Sequence, residues 1–300
     1  MVGDLGGWLG SAKASVAGFE DRADVARVTA DVAALAGAPR GCHHPAEMAA
    51  ALDYVEAGLQ QAGWRVVRAP FERRWVVGVT DAGGRHVLPR RVFRRASGIN
   101  LLADPGAGRD GAPGRDGGPG GRGGVLIVAH LDSVACSPGA DDNASGVAAL
   151  LECARLLAGL PQVPAVRLAV VDLEERACVG SRVLAGQRDL TESLDLVVAL
   201  EAVGTFLDTP GTQQLGGLGL IFPRLARQVR ARESRGDFVL AVHSGRSAAS
   251  AGAARRPVLP GGELAEKGRP APVPVAEVVQ VLGPSRRRRP EREWRSISWR

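Results

Sequence analysis

The stretch that decides the fold is Val125-Leu-Ile-Val-Ala-His130-Leu-Asp132-Ser, followed shortly by Pro138-Gly-Ala-Asp141-Asp142-Asn143-Ala-Ser145-Gly146. An apolar run of strand length ends abruptly in His-x-Asp, and an acidic turn flanked by glycine lies twelve residues past the histidine. Polar and charged side chains seldom cluster at the end of a buried strand unless they hold a ligand. Because this cluster combines imidazole with carboxylates, a metal cation is the natural candidate.

The segments that follow alternate between strand and helix patterns. The predicted elements are a strand over 125–129, a helix from about Ser145 to Leu157, a strand over 165–172, a helix near 179–187 and a strand over 195–200. This alternation predicts an α/β fold with a parallel or mixed sheet flanked by helices. Ligands in such sheets bind at the carboxyl ends of strands. The residues at those ends are His130, Asp132, Glu174, Glu175 and Glu201.

The region before this core shows helical periodicity over 20–62, which predicts two helices, and then three strand patterns at 64–71, 75–79 and 98–103. Residues 104–124 are rich in glycine and predict a flexible surface loop. We expect one domain over residues 1–284 and a disordered, Arg-rich tail over 285–300.

The bulk composition bounds the class of protein. An apolar fraction of 45% in 300 residues is ample for a packed core. No apolar run reaches the roughly 18 residues that a membrane span requires. The first 18 residues lack the pattern of a secretory signal, so we expect a cytoplasmic protein. The four cysteines show no paired spacing and are expected to be small buried residues.

The formal net charge of +6 comes mostly from residues 285–300, where seven arginines face two glutamates, a local charge of +5. The other 284 residues therefore total about +1. We expect no specific nucleic-acid partner on this ground, because the body of the chain is not basic overall. The Arg286–Arg289 run is more typical of a solvated tail.

The clustered residues have the chemistry of a zinc hydrolase. His130 offers a neutral nitrogen ligand, and Asp132 can accept a hydrogen bond from the other ring nitrogen. The carboxylate of Asp142 can bridge two metal ions, with Glu175 and Glu201 serving one each. Glu174 is then free to act as the general base that takes a proton from water and passes it to a leaving amine.

Each of these residues also has an ordinary structural interpretation. A histidine at a strand end is usually hydrogen-bonded, Asp-Asp-Asn before a helix is usually a turn and cap, and Glu-Glu at a helix start complements the helix dipole. For any one of these residues alone, the structural interpretation is favoured over the functional one. For all of them together, the functional interpretation is favoured, because the residues share the same strand-end placement.

Four motifs together resemble the co-catalytic di-zinc aminopeptidase family, which includes secreted bacterial leucine-type aminopeptidases and, more distantly, glutamate carboxypeptidases. The motifs are His130-Leu-Asp132-Ser, Gly-Ala-Asp-Asp142-Asn-Ala-Ser-Gly, Glu174-Glu175-x-x-x-x-Gly180-Ser181 and Leu-Glu201-x-Val-Gly204. The resemblance spans about residues 25–245. It implies a three-layer α/β/α sandwich with a mixed, mostly parallel central sheet.

The resemblance also implies roles for individual residues. His130 and Glu201 would ligate one zinc, Asp142 would bridge to a second, and Glu175 would ligate that second zinc. Glu174 would be the general base, with Asp132 supporting His130.

The chain departs from the family pattern at one ligand. The family uses a further histidine on a late loop, near residues 276–291 here, and the chain has no histidine after His243. We interpret His243 as structural and the abrupt change near Gly283 as a frameshift or truncation. The second zinc would keep Asp142 and Glu175 as its only protein ligands, so one zinc or none is expected to bind.

The sequence therefore predicts a zinc-dependent exopeptidase, most simply an aminopeptidase acting on peptides, with weakened or absent activity. A related amidohydrolase or carboxypeptidase acting on a peptide or small amide is one alternative. A catalytically dead binding protein or nonfunctional fragment is the other. The oligomeric state stays open.

Overall fold

The structure is a computed structural model of the 300-residue chain. It describes residues 22–80, 87–105, 124–160, 165–191, 194–213, 223–236, 239–240 and 275–276. The described residues belong to two compact units, one within Met1–Ala202 and one within Val203–Leu282. The predicted Gly-rich loop, apart from its ends, and the tail at 285–300 lie outside the described residues. The single domain over 1–284 stays a prediction.

The first unit holds a five-stranded sheet and its helices. In chain order its elements are α1 (Val25–Leu35), α2 (Pro45–Gln61), β1 (Trp64–Thr80), β2 (Val87–Pro105), β3 (Gly124–His130), a π-helical turn (Ala140–Ser145), α3 (Gly146–Ala158), β4 (Val166–Val171), α4 (Val179–Ala185), α5 (Arg188–Thr191) and β5 (Leu194–Ala199).

The strand order in the sheet is β1-β2-β4-β3-β5. Strand β3 runs parallel to both β4 and β5, and its register with β4 ends at His130 opposite Val171. The hairpin of β1 and β2 joins the sheet through antiparallel pairing of β2 with β4. The sheet is therefore mixed, and the parallel strands β4, β3 and β5 end at one common edge.

Helices cover both faces of the sheet. Successive side chains of a strand point to opposite sides, so neighbouring residues of β3 pack against different helices. On one face Ile127 and Ala129 of β3 pack in the main core with α1, α2 and α3. On the other face Leu126 and Val128 pack with Leu184 of α4 and Leu190 of α5. The predicted three-layer α/β/α fold is confirmed.

The patterns at 64–71 and 75–79 are both strand, as predicted, but they belong to the single strand β1, because antiparallel pairing with β2 continues across Glu72 to Arg74 and resumes at Val76. One local expectation is wrong. The cysteines are not buried, since Cys42 and Cys136 are exposed and Cys153 and Cys178 are half-buried. None of the helices in the described ranges is long and apolar enough to cross a bilayer.

The second unit contains α6 (Pro223–Ala231) and the short parallel strands β6 (Val239–Leu240) and β7 (Val275–Ala276). Among the described side chains of α6, Ala226 and Val229 are buried. His243 lies outside the described residues.

Gly180, at the start of α4, allows the helix to approach the end of β4. A Cβ at this position would lie 2.2 Å from the main-chain O of Asp172 and 2.6 Å from Oδ1 of Asn100. Asn100 in turn accepts a hydrogen bond from the main-chain N of Asp172 and donates one to the main-chain O of Gly180. This contact joins β2, β4 and α4.

We predict that Gly180→Ala lowers the free energy of unfolding by about 1–3 kcal/mol through overpacking. The direction is informative because alanine is otherwise favoured over glycine in a helix by about 1 kcal/mol. Urea titration measures the effect. Gly159→Ala is the matched control, since its Cβ would meet nothing closer than 3.4 Å. Equal stability of the two variants would contradict the packing argument.

Candidate metal centre

The common edge of the parallel strands brings three separated segments together. His130 is the last residue of β3, Glu174 and Glu175 follow β4, and Glu201 comes two residues after β5. Asp142 joins them from the turn before α3. Of these, the ligand atoms of His130, Asp142 and Glu201 all lie within 4.8 Å of one another.

His130 is buried, and its two ring nitrogens have different partners. Nδ1 lies 2.9 Å from the main-chain O of Asp132, which only accepts hydrogen bonds, so Nδ1 carries a proton. Nε2 lies 3.0 Å from Oδ1 of Asp142 and 3.2 Å from Oε1 of Glu201. A neutral ring would present a lone pair to two carboxylates, so this position requires a proton or a metal cation.

The electrostatics agree with that conclusion. Burial lowers the pKa of His130, but its hydrogen bonds with Asp132, Asp142 and Glu201 outweigh burial and raise the pKa well above its usual range. The carboxylates therefore create a position that favours positive charge.

Asn143 fixes Asp142 relative to Glu201. Its side-chain amide donates to the main-chain O of Leu200 and accepts from the main-chain N of Ala202, the two neighbours of Glu201. Asn143 is fully buried, and the peptide bond between it and Asp142 is cis. The sequence motif contained Asn143 but gave no reason to assign it this function.

The carboxylate of Asp132 lies near the ring of His130, and it also binds the main chain after β4. The predicted role of Asp132 in supporting His130 stays a prediction. The Asp132 carboxylate accepts from the main-chain N of Glu174 at 3.0 Å and of Glu175 at 3.1 Å. The ring of His130 donates from Nδ1 to the main-chain O of Asp132. The Oδ1 atom of the Asp132 carboxylate lies 3.5 Å from the same nitrogen. Asp132 thus ties the segment after β3 to the segment after β4.

Arg40, which the sequence analysis did not identify, supports the loop between His130 and Asp142. Its buried guanidinium donates to the main-chain O atoms of Leu131, Pro138 and Gly139, and also of Leu35. Burial lowers the pKa of Arg40 to about 10, while Asp132 and Asp142 act to raise it. No local pattern could have identified Arg40, because the loop lies more than 90 residues away in sequence.

Glu174 and Glu175 lie beside the three-residue group, and their pKa values are raised. Burial raises the pKa of Glu174 to about 7, with His130 opposing and Glu201 and Asp132 adding to the rise. Burial and the charge of Asp142 raise the pKa of Glu175 to about 8. Oε1 of Glu174 accepts from the thiol of Cys178 at 3.0 Å. A bound cation would favour the ionised forms of both glutamates.

The donor set fits zinc. One imidazole nitrogen and two carboxylate oxygens are ligands that catalytic zinc uses, and three protein ligands are the usual number. His130 also has the hydrogen bond on its other nitrogen that metal-ligating histidines typically make. Within the described residues this is the one group of three such donors. Glu175 lies outside it, and its place at a second metal stays a prediction.

We predict that Arg40→Gln lowers the free energy of unfolding by about 3 kcal/mol or more, because main-chain carbonyls in the interior lose their charged donor. Arg68→Gln is the matched control. Arg68 binds Asp53 and Glu56 at the surface, and its replacement is expected to cost less than about 1 kcal/mol. Urea unfolding compares the two. Similar losses would mean that Arg40 does not support the loop.

Comparison with known proteins finds relatives of part of this chain. The uncharacterized protein YfbL of Escherichia coli is 35% identical over 133 residues, which cover 39% of this chain and 38% of YfbL. Aminopeptidase YwaD of Bacillus subtilis is 44% identical over 57 residues, covering 19% of this chain and 12% of YwaD. The chain thus matches well under half the length of these relatives.

Among solved structures, the aminopeptidase from Aneurinibacillus sp. strain AM-1 superposes with a TM-score of 0.48 at 18% identity, covering 75% of this chain and 81% of that one. Residues 115–230 match the family described as Peptidase family M28. They contain every candidate ligand and the candidate base. The resemblance to the co-catalytic zinc aminopeptidases is therefore confirmed, and it rests on this M28 segment of the chain.

Proposed function

We propose that this chain is a zinc-dependent exopeptidase of the aminopeptidase type, which hydrolyses the bond after the N-terminal residue of a peptide. The observation that carries the proposal is the convergence of His130, Asp142 and Glu201 on one point, with Glu174 beside them. The M28 match over the same residues supports it.

Zinc bound by His130, Asp142 and Glu201 would supply a Lewis acid for the scissile carbonyl and for the attacking water. The chain's own contribution is proton transfer. Glu174, which a bound cation would keep ionised, lies beside the site and can take a proton from the water and deliver it to the leaving amine. The main-chain N–H groups of Glu174 and Glu175 donate hydrogen bonds to the Asp132 carboxylate, and these bonds hold the segment that carries Glu174 in place.

The surplus of carboxylates favours recognition of a free amine. Asp142 and Glu201 lie at the metal position, and a bound cation would also ionise Glu174 and Glu175, which gives more negative charge than one divalent ion neutralises. A carboxypeptidase would instead need a cation for the terminal carboxylate. Arg40 does not offer one, because it is buried and its guanidinium donates to main-chain carbonyls. A cytoplasmic location stays a prediction.

We predict that purified protein binds one zinc tightly per chain and that His130→Ala abolishes this binding. Removing the single nitrogen ligand leaves two carboxylates, which bind zinc weakly. Metal analysis after dialysis against a weak chelator measures the content. His43→Ala is the control, since His43 is exposed and lies outside the donor group. A chain without zinc in either form would support the dead binding protein.

We predict that Glu174→Gln lowers kcat for aminoacyl p-nitroanilides by roughly 10²- to 10⁴-fold, the usual contribution of a general base. Zinc content should stay unchanged, because Glu174 is not in the donor group. Glu56→Gln makes the same chemical change on α2, where Glu56 pairs with Arg68, and should leave kcat unaltered.

The substrate panel separates the alternatives. N-acetylated substrates should be inert if the free amine is recognised. Cleavage of the acetylated compounds, or of peptides from their carboxyl end, would assign the chain to an amidohydrolase or carboxypeptidase instead.

A further inference from the structure

The hairpin of β1 and β2 concentrates positive charge. Residues 64–96 contain nine arginines against two acidic residues, Glu72 and Asp81, which gives a local charge of +7. With +5 in residues 285–300 and +6 overall, the remainder of the chain carries −6. Outside residues 285–300, the small net charge therefore results from a strongly basic hairpin and an acidic remainder that nearly cancel.

Among the described side chains, ion pairs neutralise the arginines at the base of the hairpin. Arg65 pairs with Asp104, and Arg68 pairs with Asp53 and Glu56. Farther out, Arg74 and Arg95 lie directly opposite each other and share one carboxylate, that of Glu72. Like charges placed opposite each other destabilise a strand pair. An anionic partner would offset that cost.

The same outer part exposes apolar side chains. Trp75 is 64% exposed, and Val77 and Val92, which are paired across the strands, are 49% and 58% exposed. The guanidinium of Arg94 lies over the ring of Trp75, 5.6 Å from its centre. We call these four residues the Trp75 face. Apolar side chains that are exposed in such a cluster are typical of an interaction surface.

The Trp75 face belongs to a hairpin whose opposite side is packed against the rest of the unit. Val76, Phe93 and Ala96 form the opposite side of the hairpin, where they pack with Leu173 and Val179. Phe93 also lies under the guanidinium of Arg176. The Trp75 face is consequently held outward by a packed core.

We infer that the Trp75 face docks on a membrane surface that contains anionic phospholipids. A Trp ring and aliphatic side chains can enter the headgroup boundary while arginines bind lipid phosphates. A second copy of the chain is disfavoured because it would bring two basic surfaces together. Single-stranded nucleic acid would stack on Trp75, but it gives Val77 and Val92 no apolar partner.

Flotation of the full-length chain with lipid vesicles tests the inference. We expect binding to vesicles of phosphatidylcholine and phosphatidylglycerol in equal parts, and none to phosphatidylcholine alone. The double variant Arg91→Gln/Arg94→Gln should weaken vesicle binding about 25-fold, because each arginine near the anionic surface contributes about fivefold to the affinity. Arg182→Gln/Arg188→Gln removes the same charge from exposed positions on α4 and α5, and should change binding less than about twofold.

Tryptophan fluorescence supplies an independent readout. Brominated lipids should quench the intact chain more than Trp75→Phe, because Trp75 enters the boundary. Unchanged thermal unfolding verifies that the variants fold.

Three results would overturn the inference: equal losses in both double variants, unaltered vesicle binding in the hairpin variant, or equal quenching in Trp75→Phe. Binding of an oligonucleotide together with failure to float on anionic vesicles would assign the face to nucleic acid.

Discussion

The structure at the carboxyl ends of the parallel strands depends on one interaction, that of a buried imidazole with two carboxylates. His130, Asp142 and Glu201 belong to three separate segments of the chain, and their mutual distances leave room for one positive charge. Groups so placed repel or attract strongly because the interior screens them poorly. The fold meets the constraint with side chains that each tie two segments together. Asn143 holds Asp142 against the neighbours of Glu201, and Asp132 holds the segment after β4.

Such an arrangement couples metal binding to folding. Burial and neighbouring charge raise the pKa values of Glu174 and Glu175, so without a cation these groups resist ionisation near neutral pH. An ion that binds the folded chain and not the unfolded one stabilises the fold by mass action. The same ion would make the local charge balance less negative. Zinc here would thus serve the structure of the edge as well as its chemistry.

The sequence predicted the elements of the central sheet and the residues that converge there, since each predicted site residue follows a strand or precedes a helix with a clear period. It could not predict contacts set by the folded backbone. Arg40 binds carbonyls more than 90 residues away, and the partner of the Asp132 carboxylate is the main chain at 174 and 175. The unbroken strand β1 was missed for a related reason, because pairing with β2 overrides the polar break at residues 72–74.

One short loop connects the metal centre with the basic hairpin. Leu173 and Val179 pack against Val76 and Phe93 of the hairpin. In the sequence, Glu174 and Glu175 lie between Leu173 and Val179, at the strand-end edge. Because a packed cluster joins the two features, the hairpin cannot shift without moving the segment that carries the candidate base. A surface bound by the hairpin would therefore be held at a fixed position relative to the catalytic edge. The acidic edge and the basic hairpin are parts of one electrostatic arrangement, which the net charge of the chain conceals.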